Sequence, residues 1–219
     1  MKKLSTFLFL FVISSMVFAQ ESKIAIGFQM ANSITSLRGN SFINEHYDSR
    51  FVISPGITFD YTINERFSFN SGLAFERKGA KTDVEFTDGI GTPIGKAEVK
   101  ANYDYLTLPL LVSYHTNGKL RFYFGGGTFF GFLLSQKGIT EGNDVIPEQT
   151  WDNTENTKRI DVGLAFKAGI NLPMSDILMI DLGLRDHLGL LNTSKVEVFE
   201  DGSIKTNAFS AFVGLKYKL

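Results

Sequence analysis

The feature that most restricts the fold is a two-residue alternation in which one face is apolar and the opposite face carries charge. Over 51–63, Phe51, Ile53, Ile57, Phe59, Tyr61 and Ile63 share one face, and Ser54, Gly56, Thr58, Asp60 and Thr62 share the other. Successive side chains of a β-strand point to opposite sides, so this pattern reads as strand. The pattern recurs over 67–79, where Phe67, Phe69, Leu73 and Phe75 oppose Ser68, Asn70, Gly72, Glu76 and Lys78. It recurs again over 158–171, with Ile160, Val162, Leu164 and Phe166 against Arg159, Asp161, Gly163 and Lys167, and over 177–187, with Leu178, Ile180, Leu182 and Leu184 against Asp181, Gly183, Arg185 and His187. A soluble lipocalin-type barrel would need large apolar side chains inside, a requirement that the face holding Asp161, Lys167, Asp181 and Arg185 fails. The apolar face must therefore meet hydrocarbon. In lipid a sheet has to close on itself, because no water is available to satisfy an open backbone edge.

Eight such strands are expected, at about 22–32, 51–63, 67–79, 98–115, 120–136, 158–171, 177–187 and 206–218. The connections alternate in length. Short ones lie at 64–66, 116–119 and 172–176, and long polar ones at about 33–50, 80–97, 137–157 and 188–205. The expected fold is an all-β, transmembrane, antiparallel up-and-down β-barrel with short periplasmic turns and long outer loops, located in the outer membrane of a Gram-negative bacterium. No segment is long and apolar enough for a transmembrane helix of roughly 20 residues. At the N-terminus, Lys2 and Lys3 precede an apolar run and the sequence Val17-Phe18-Ala19, which reads as a signal peptide over 1–19 and leaves one barrel domain over 20–219. There is no Cys for a disulfide or a lipid anchor. A mature net charge of about −3 gives no basic patch for nucleic acid.

Two strands depart from simple alternation. In the fourth, Tyr103 and Tyr105 fall out of phase with Leu106, Leu108, Leu110 and Val112, which suggests a bulge, and Pro109 lacks a ladder donor. In the fifth, Gly125, Gly127 and Gly131 leave the inward face nearly bare.

The inward charges Asp60, Glu76, Lys78, Arg121, Arg159, Asp161, Lys167, Asp181 and Arg185 have mixed sign. Eight strands enclose a lumen just wide enough for side chains, so these residues are expected to form a salt-bridged plug, with Asp161 and Arg185 in one network. The last strand carries Phe209, Ala211, Val213, Leu215, Tyr217 and Leu219 on its lipid face, and Gly214, Tyr217 and Leu219 read as a C-terminal signal for barrel-assembly machinery. Two positions depart from that signal: the usual terminal aromatic is Leu219, and Phe212 stands where a polar residue is usual. The only histidines, His46, His115 and His187, show no evident catalytic partner, so no enzyme activity is expected. Glu141, Asp144, Glu148, Asp152 and Glu155 read as a solvated loop facing lipopolysaccharide, because their spacing matches no ordered calcium loop. No cofactor or metal is expected.

The chain resembles the PorT-like outer-membrane β-barrel family of the Bacteroidetes. The resemblance rests on Pro55-Gly56, Ser71-Gly72-Leu73 with Arg77-Lys78-Gly79-Ala80, and Tyr105-Leu106-Thr107-Leu108-Pro109-Leu110-Leu111. It continues through the glycine-rich stretch Phe122 to Leu134, Asp161-Val162-Gly163, and Leu184-Arg185 leading to Leu188-Gly189-Leu190. The family's namesake takes part in type IX secretion, so the resemblance adds a secretion apparatus to the expected partners, which are outer-membrane lipid and lipopolysaccharide, assembly machinery and envelope proteins. Fold does not carry function, and three readings stand at this point: a structural or interaction barrel, a narrow solute or ion channel, and a barrel enzyme acting on lipid or peptide.

Overall fold

The computed structural model describes residues 23–118, 120–198 and 202–219; the expected signal peptide lies outside the described residues. The elements are β1 (Ile24–Arg38), a short helix α1 (Ser41–His46), β2 (Arg50–Thr62), β3 (Phe67–Thr87), β4 (Pro93–His115), β5 (Arg121–Thr140), β6 (Gln149–Asp152), β7 (Ile160–Pro173), β8 (Leu178–Gly189) and β9 (Lys205–Lys218). Every wall strand pairs antiparallel with its neighbours in the chain, β5 passes directly to β7, and β1 closes the ring against β9 from Ala25–Lys218 to Arg38–Lys205. The wall therefore has eight strands, and β6 is an excursion paired to the end of β5.

The apolar faces point outward. Phe51 is 74% exposed, Ile53 65%, Phe124 62% and Phe132 60%, values that would be untenable in water for so continuous a band. One end of the barrel carries the short turns. In the β2–β3 turn the Asn64 side chain accepts the backbone N–H groups of Arg66 and Phe67, both at 2.9 Å. The other end carries the long connections, and there the structure differs from the sequence reading. The expected loop 80–97 is mostly strand, since β3 and β4 remain paired from Lys81–Lys100 to Phe86–Gly95 as a hairpin standing beyond the apolar belt. Outside lipid both faces of a hairpin are wet, so the alternation that marks a wall strand disappears from its sequence. β1 likewise runs to Arg38, and α1 occupies part of the expected 33–50 loop, its first turn capped by Asn40, whose side chain accepts Ile43 N–H at 2.7 Å.

The wall is irregular in three places. The β4–β5 ladder shifts register between Asp104 and Tyr105, but the extra residue is Leu134, so the bulge lies in β5 and not in β4; Tyr103 and Tyr105 lie inside by the unbroken alternation of β4, on the face opposite Leu106 and Leu108. The β3–β4 ladder is interrupted between Ser71–Leu110 and Ala74–Thr107, opposite Pro109. The β2–β3 ladder covers only Gly56–Ala74 to Thr62–Ser68, and the next contact between these segments is the isolated bridge Asp48–Lys81. Between that ladder and the bridge lies Gly79 of β3. Its φ of +141° suits glycine alone, and a β-carbon there would lie 1.8 Å from the Ala101 carbonyl oxygen.

Candidate functional site

The inward faces assemble two ion clusters. The first, nearer the long loops, centres on Lys78, whose side chain is fully buried. Its Nζ lies 3.1 Å from Asp161 Oδ2 and 3.7 Å from Glu76 Oε2, and 3.9 Å above the ring centre of Phe129. Thr206 donates to Asp161 at 2.6 Å and Thr107 donates to Glu76 at 3.1 Å. Glu76 also faces His187 Nδ1 at 3.1 Å and Arg185 Nη2 at 3.7 Å. Asp161 and Arg185 do not touch; Lys78 and Glu76 join them.

The second cluster lies towards the short turns. Lys216 sits between two carboxylates, 2.7 Å from Asp181 Oδ2 and in contact with Asp60. Lys167 approaches Asp181 at 3.6 Å, Tyr123 donates its hydroxyl to Asp181 at 2.6 Å, and Asn70 donates to Asp60 at 2.7 Å. Across both clusters four acids, Asp60, Glu76, Asp161 and Asp181, face four bases, Lys78, Lys167, Arg185 and Lys216. Matching charge for charge is the arrangement that low-dielectric surroundings require.

The sequence reading needs three corrections here. Arg121 and Arg159 belong to neither cluster: each keeps the inward parity of its strand but lies exposed at a rim, Arg121 by the short turns and Arg159 by the long loops. Lys216, absent from the expected charge set, is only 2% exposed and holds the second cluster together. The inward face of β5 is not bare. Tyr123, Phe129 and Leu133 project from it, at most 2% exposed, and glycines elsewhere make room for the rings. A β-carbon on Gly163 would meet Phe129 at 2.6 Å, and one on Gly169 would meet the Tyr123 hydroxyl at 2.4 Å. The strand therefore trades bulk between its own rings and the glycines of β7, which a reading of one strand at a time cannot show.

Between these groups little space is left. A cavity of about 30 Å³ lies beside Gly56, Gly72 and Pro109, where the wall ladders weaken, with Asp60, Lys167 and Arg185 on its lumenal side. It is room for about one water. A second cavity, of about 460 Å³, opens at the long-loop end. Its floor includes Leu37 and Tyr103, and its walls come from α1, from β6, and from the segments around Asn153–Thr157 and Ser194–Val198. The segment after β6 is turned by Asp152, which accepts Thr154 N–H at 2.8 Å; hydrogen bonds from Thr154, side chain first and then backbone, hold the Asp152 carboxyl below its usual range.

The remaining candidates are dispersed. His46 stacks on Phe42 within α1, and His187 is buried against Glu76 and Phe129. His115 Nε2 lies 2.7 Å from Ser68 Oγ. Glu141 pairs with Lys100 and Asp152 caps its turn, and among the described residues no cluster of His, Asp or Glu has the arrangement of a metal site. Tyr217 of β9 and Leu219, the residue after the strand, are 44% and 43% exposed, while Gly214 is buried on the lumenal face of β9.

Comparison with solved structures finds outer-membrane barrels. Neisserial surface protein A aligns at 13% identity over 90% of this chain and 98% of its own, with a TM-score of 0.48. OprG of Pseudomonas aeruginosa aligns at 14% over 91% and 97%, with a TM-score of 0.45. Ail, the attachment invasion locus protein of Yersinia pestis, aligns at 12% over 90% and 99%, with a TM-score of 0.43. No curated protein matches the sequence. The model of the outer membrane protein beta-barrel domain family matches residues 18–195, most of the chain and seven of the eight wall strands. With the lipid-facing band and the closed ring already established, the chain belongs to the outer membrane protein beta-barrel domain family, and its place is the outer membrane.

Proposed function

We propose that this protein is a closed-lumen interaction barrel that works through its long-loop end, which faces the outside of the cell, while the short turns face the periplasm. The observation that carries this reading is the filled lumen: eight charged side chains in two compensated clusters, packed with Tyr105, Tyr123 and Phe129, occupy the path a solute would take. A narrow channel would need a continuous wet path through those groups. A barrel enzyme would need an activated nucleophile, and the nearest arrangement, Ser68 with His115, has Ser68 only 5% exposed and no carboxylate bonded to the other ring nitrogen among the described residues. The partners that fit are envelope components, and the resemblance to PorT-like proteins supports a secretion apparatus among them.

A photoreactive residue introduced at Ile90, 89% exposed at the tip of the β3–β4 hairpin, or at Phe42 on α1 is expected to capture envelope components in intact cells. If neither position gives any adduct while the same residue at Glu65 in a short turn does, the working end has been assigned the wrong way round.

Assembly supplies a further test. If Tyr217 is read by assembly machinery as part of an incoming edge strand, it acts before the barrel closes, whereas its packing beside Ile26 and Leu178 acts afterwards. Tyr217→Ala is expected to reduce insertion in cells severalfold and to leave folding into pure lipid vesicles nearly unchanged. An equal loss in both settings would reduce Tyr217 to a wall side chain.

A further inference from the structure

The cavity at the long-loop end has the chemistry of a ligand site, and the chemistry is specific. Four aromatic side chains line it: Phe42 and Tyr47 from the β1–β2 connection, Tyr103 from β4 and Trp151 from β6. Trp151 is held against β5 in a defined way, since a β-carbon on Gly138 would fall 2.1 Å from its indole ring; the glycine gives the ring a flat backbone seat. Phe42 and Trp151 remain 48% and 40% exposed at the rim. Aromatic faces left open to water at the mouth of a cavity are costly unless something covers them.

Between the rings stand polar groups without partners. Gln136 is 5% exposed and Tyr103 is 6% exposed, and among the described residues neither the Gln136 carboxamide nor the Tyr103 hydroxyl makes a hydrogen bond. The Tyr47 hydroxyl, the Trp151 indole N–H and the carboxamide of Asn156 are likewise unpaired and line the same space. A purely apolar ligand would seal these groups away from water and leave them unsatisfied, at about 1–3 kcal/mol each. Charge is equally informative. Lys100, the one ionised side chain among the described residues of the lining, is already neutralised by Glu98 at 3.1 Å and by Glu141. The ligand is therefore neutral, offers several hydroxyl or amide groups around its edge, and has an apolar face for the rings. A volume of about 460 Å³ lies within the usual small-molecule range of about 300–1,000 Å³.

We propose that this cavity is a binding site for a neutral saccharide, with Trp151, Phe42 and Tyr47 covering the C–H faces of the sugar and the Tyr103 hydroxyl, Gln136 and Asn156 bonding its hydroxyls. The proposal rests on the reading that the long-loop end is the working surface, and it names the ligand class for that surface. The saccharide can come from two sources, free glycans in the medium or the neutral sugars of lipopolysaccharide.

Trp151 is the only tryptophan in the chain, so its fluorescence reports on the site directly. The full-length protein in lauryldimethylamine oxide micelles, which carry no sugar headgroup, is titrated with glucose, galactose, mannose, N-acetylglucosamine and their disaccharides. Parallel titrations use oligosaccharide released from the producing cell's lipopolysaccharide. A saturable change in Trp151 emission with a sugar of either arm is expected, and the arm that binds more tightly identifies the source. Tyr103→Phe and Asn156→Ala are each expected to raise Kd roughly fivefold, the loss of one neutral hydrogen bond. Both variants should keep the heat-modifiable gel mobility of a folded barrel; if Asn156→Ala does not, Asn156→Leu serves in its place. No saturable response from any saccharide, or saturation only by octanoate, glucuronate or adenosine, would overturn the proposal. Either result would leave the filled lumen and the outside adducts untouched, so it is distinguishable from failure of the interaction reading.

Discussion

Replacing Lys78 with methionine is expected to destabilise the folded barrel by about 3–5 kcal/mol, because it removes the one cation that touches both Glu76 and Asp161 and leaves a fully buried carboxylate without a counter-charge. Glu76 would keep Arg185 and His187, whereas Asp161 would keep only the Thr206 hydroxyl. The double variant Lys78→Met with Asp161→Asn should therefore be more stable than Lys78→Met alone, since it removes the orphaned charge. Urea unfolding in lipid vesicles, followed by the heat-modifiable gel shift, provides the measurement. Additive losses in the double variant would mean that the two residues do not interact.

Lys216→Met is expected to have an effect of similar size for a different reason. Lys216 separates Asp60 from Asp181, and without it two nearly buried carboxylates share Lys167, which lies 3.6 Å from Asp181 alone. Among the described residues no ion pair joins this cluster to the one around Lys78, so the losses from Lys78→Met and Lys216→Met should add to within about 0.5 kcal/mol. The exposed Lys158→Met serves as the control and should stay within about 0.5 kcal/mol of the wild type. Strong non-additivity between the two lumenal lysines would show one continuous network in place of two.

The barrel wall was legible in the sequence because lipid keeps the outward face predominantly apolar: the large apolar residues from Phe51 to Ile63 and from Phe67 to Phe75 keep their outward parity in the structure. The lumenal charges followed from the same parity, and what parity could not give was depth along the axis. Arg121 and Arg159 have inward parity yet reach water at the rims, while Lys216, near the end of the chain, is buried against Asp60 on another strand. The β3–β4 hairpin above the belt was missed because a strand wetted on both faces needs no alternation, as Lys81, Asp83 and Glu85 beside Thr82 and Val84 illustrate. The mouth cavity left no sequence signal. Tyr47, Tyr103, Gln136, Trp151 and Asn156 come from separate segments, and only the closure of the ring brings them together.

The central claim is that the lumen is shut by its own charged side chains. Single-channel recording in a planar lipid bilayer tests it most directly, using pure protein whose insertion into matched vesicles has been verified by flotation and by the folded gel mobility. The account predicts a silent bilayer with no steady conductance steps in molar potassium chloride; a reproducible single-channel current that scales with the amount of inserted protein would contradict it.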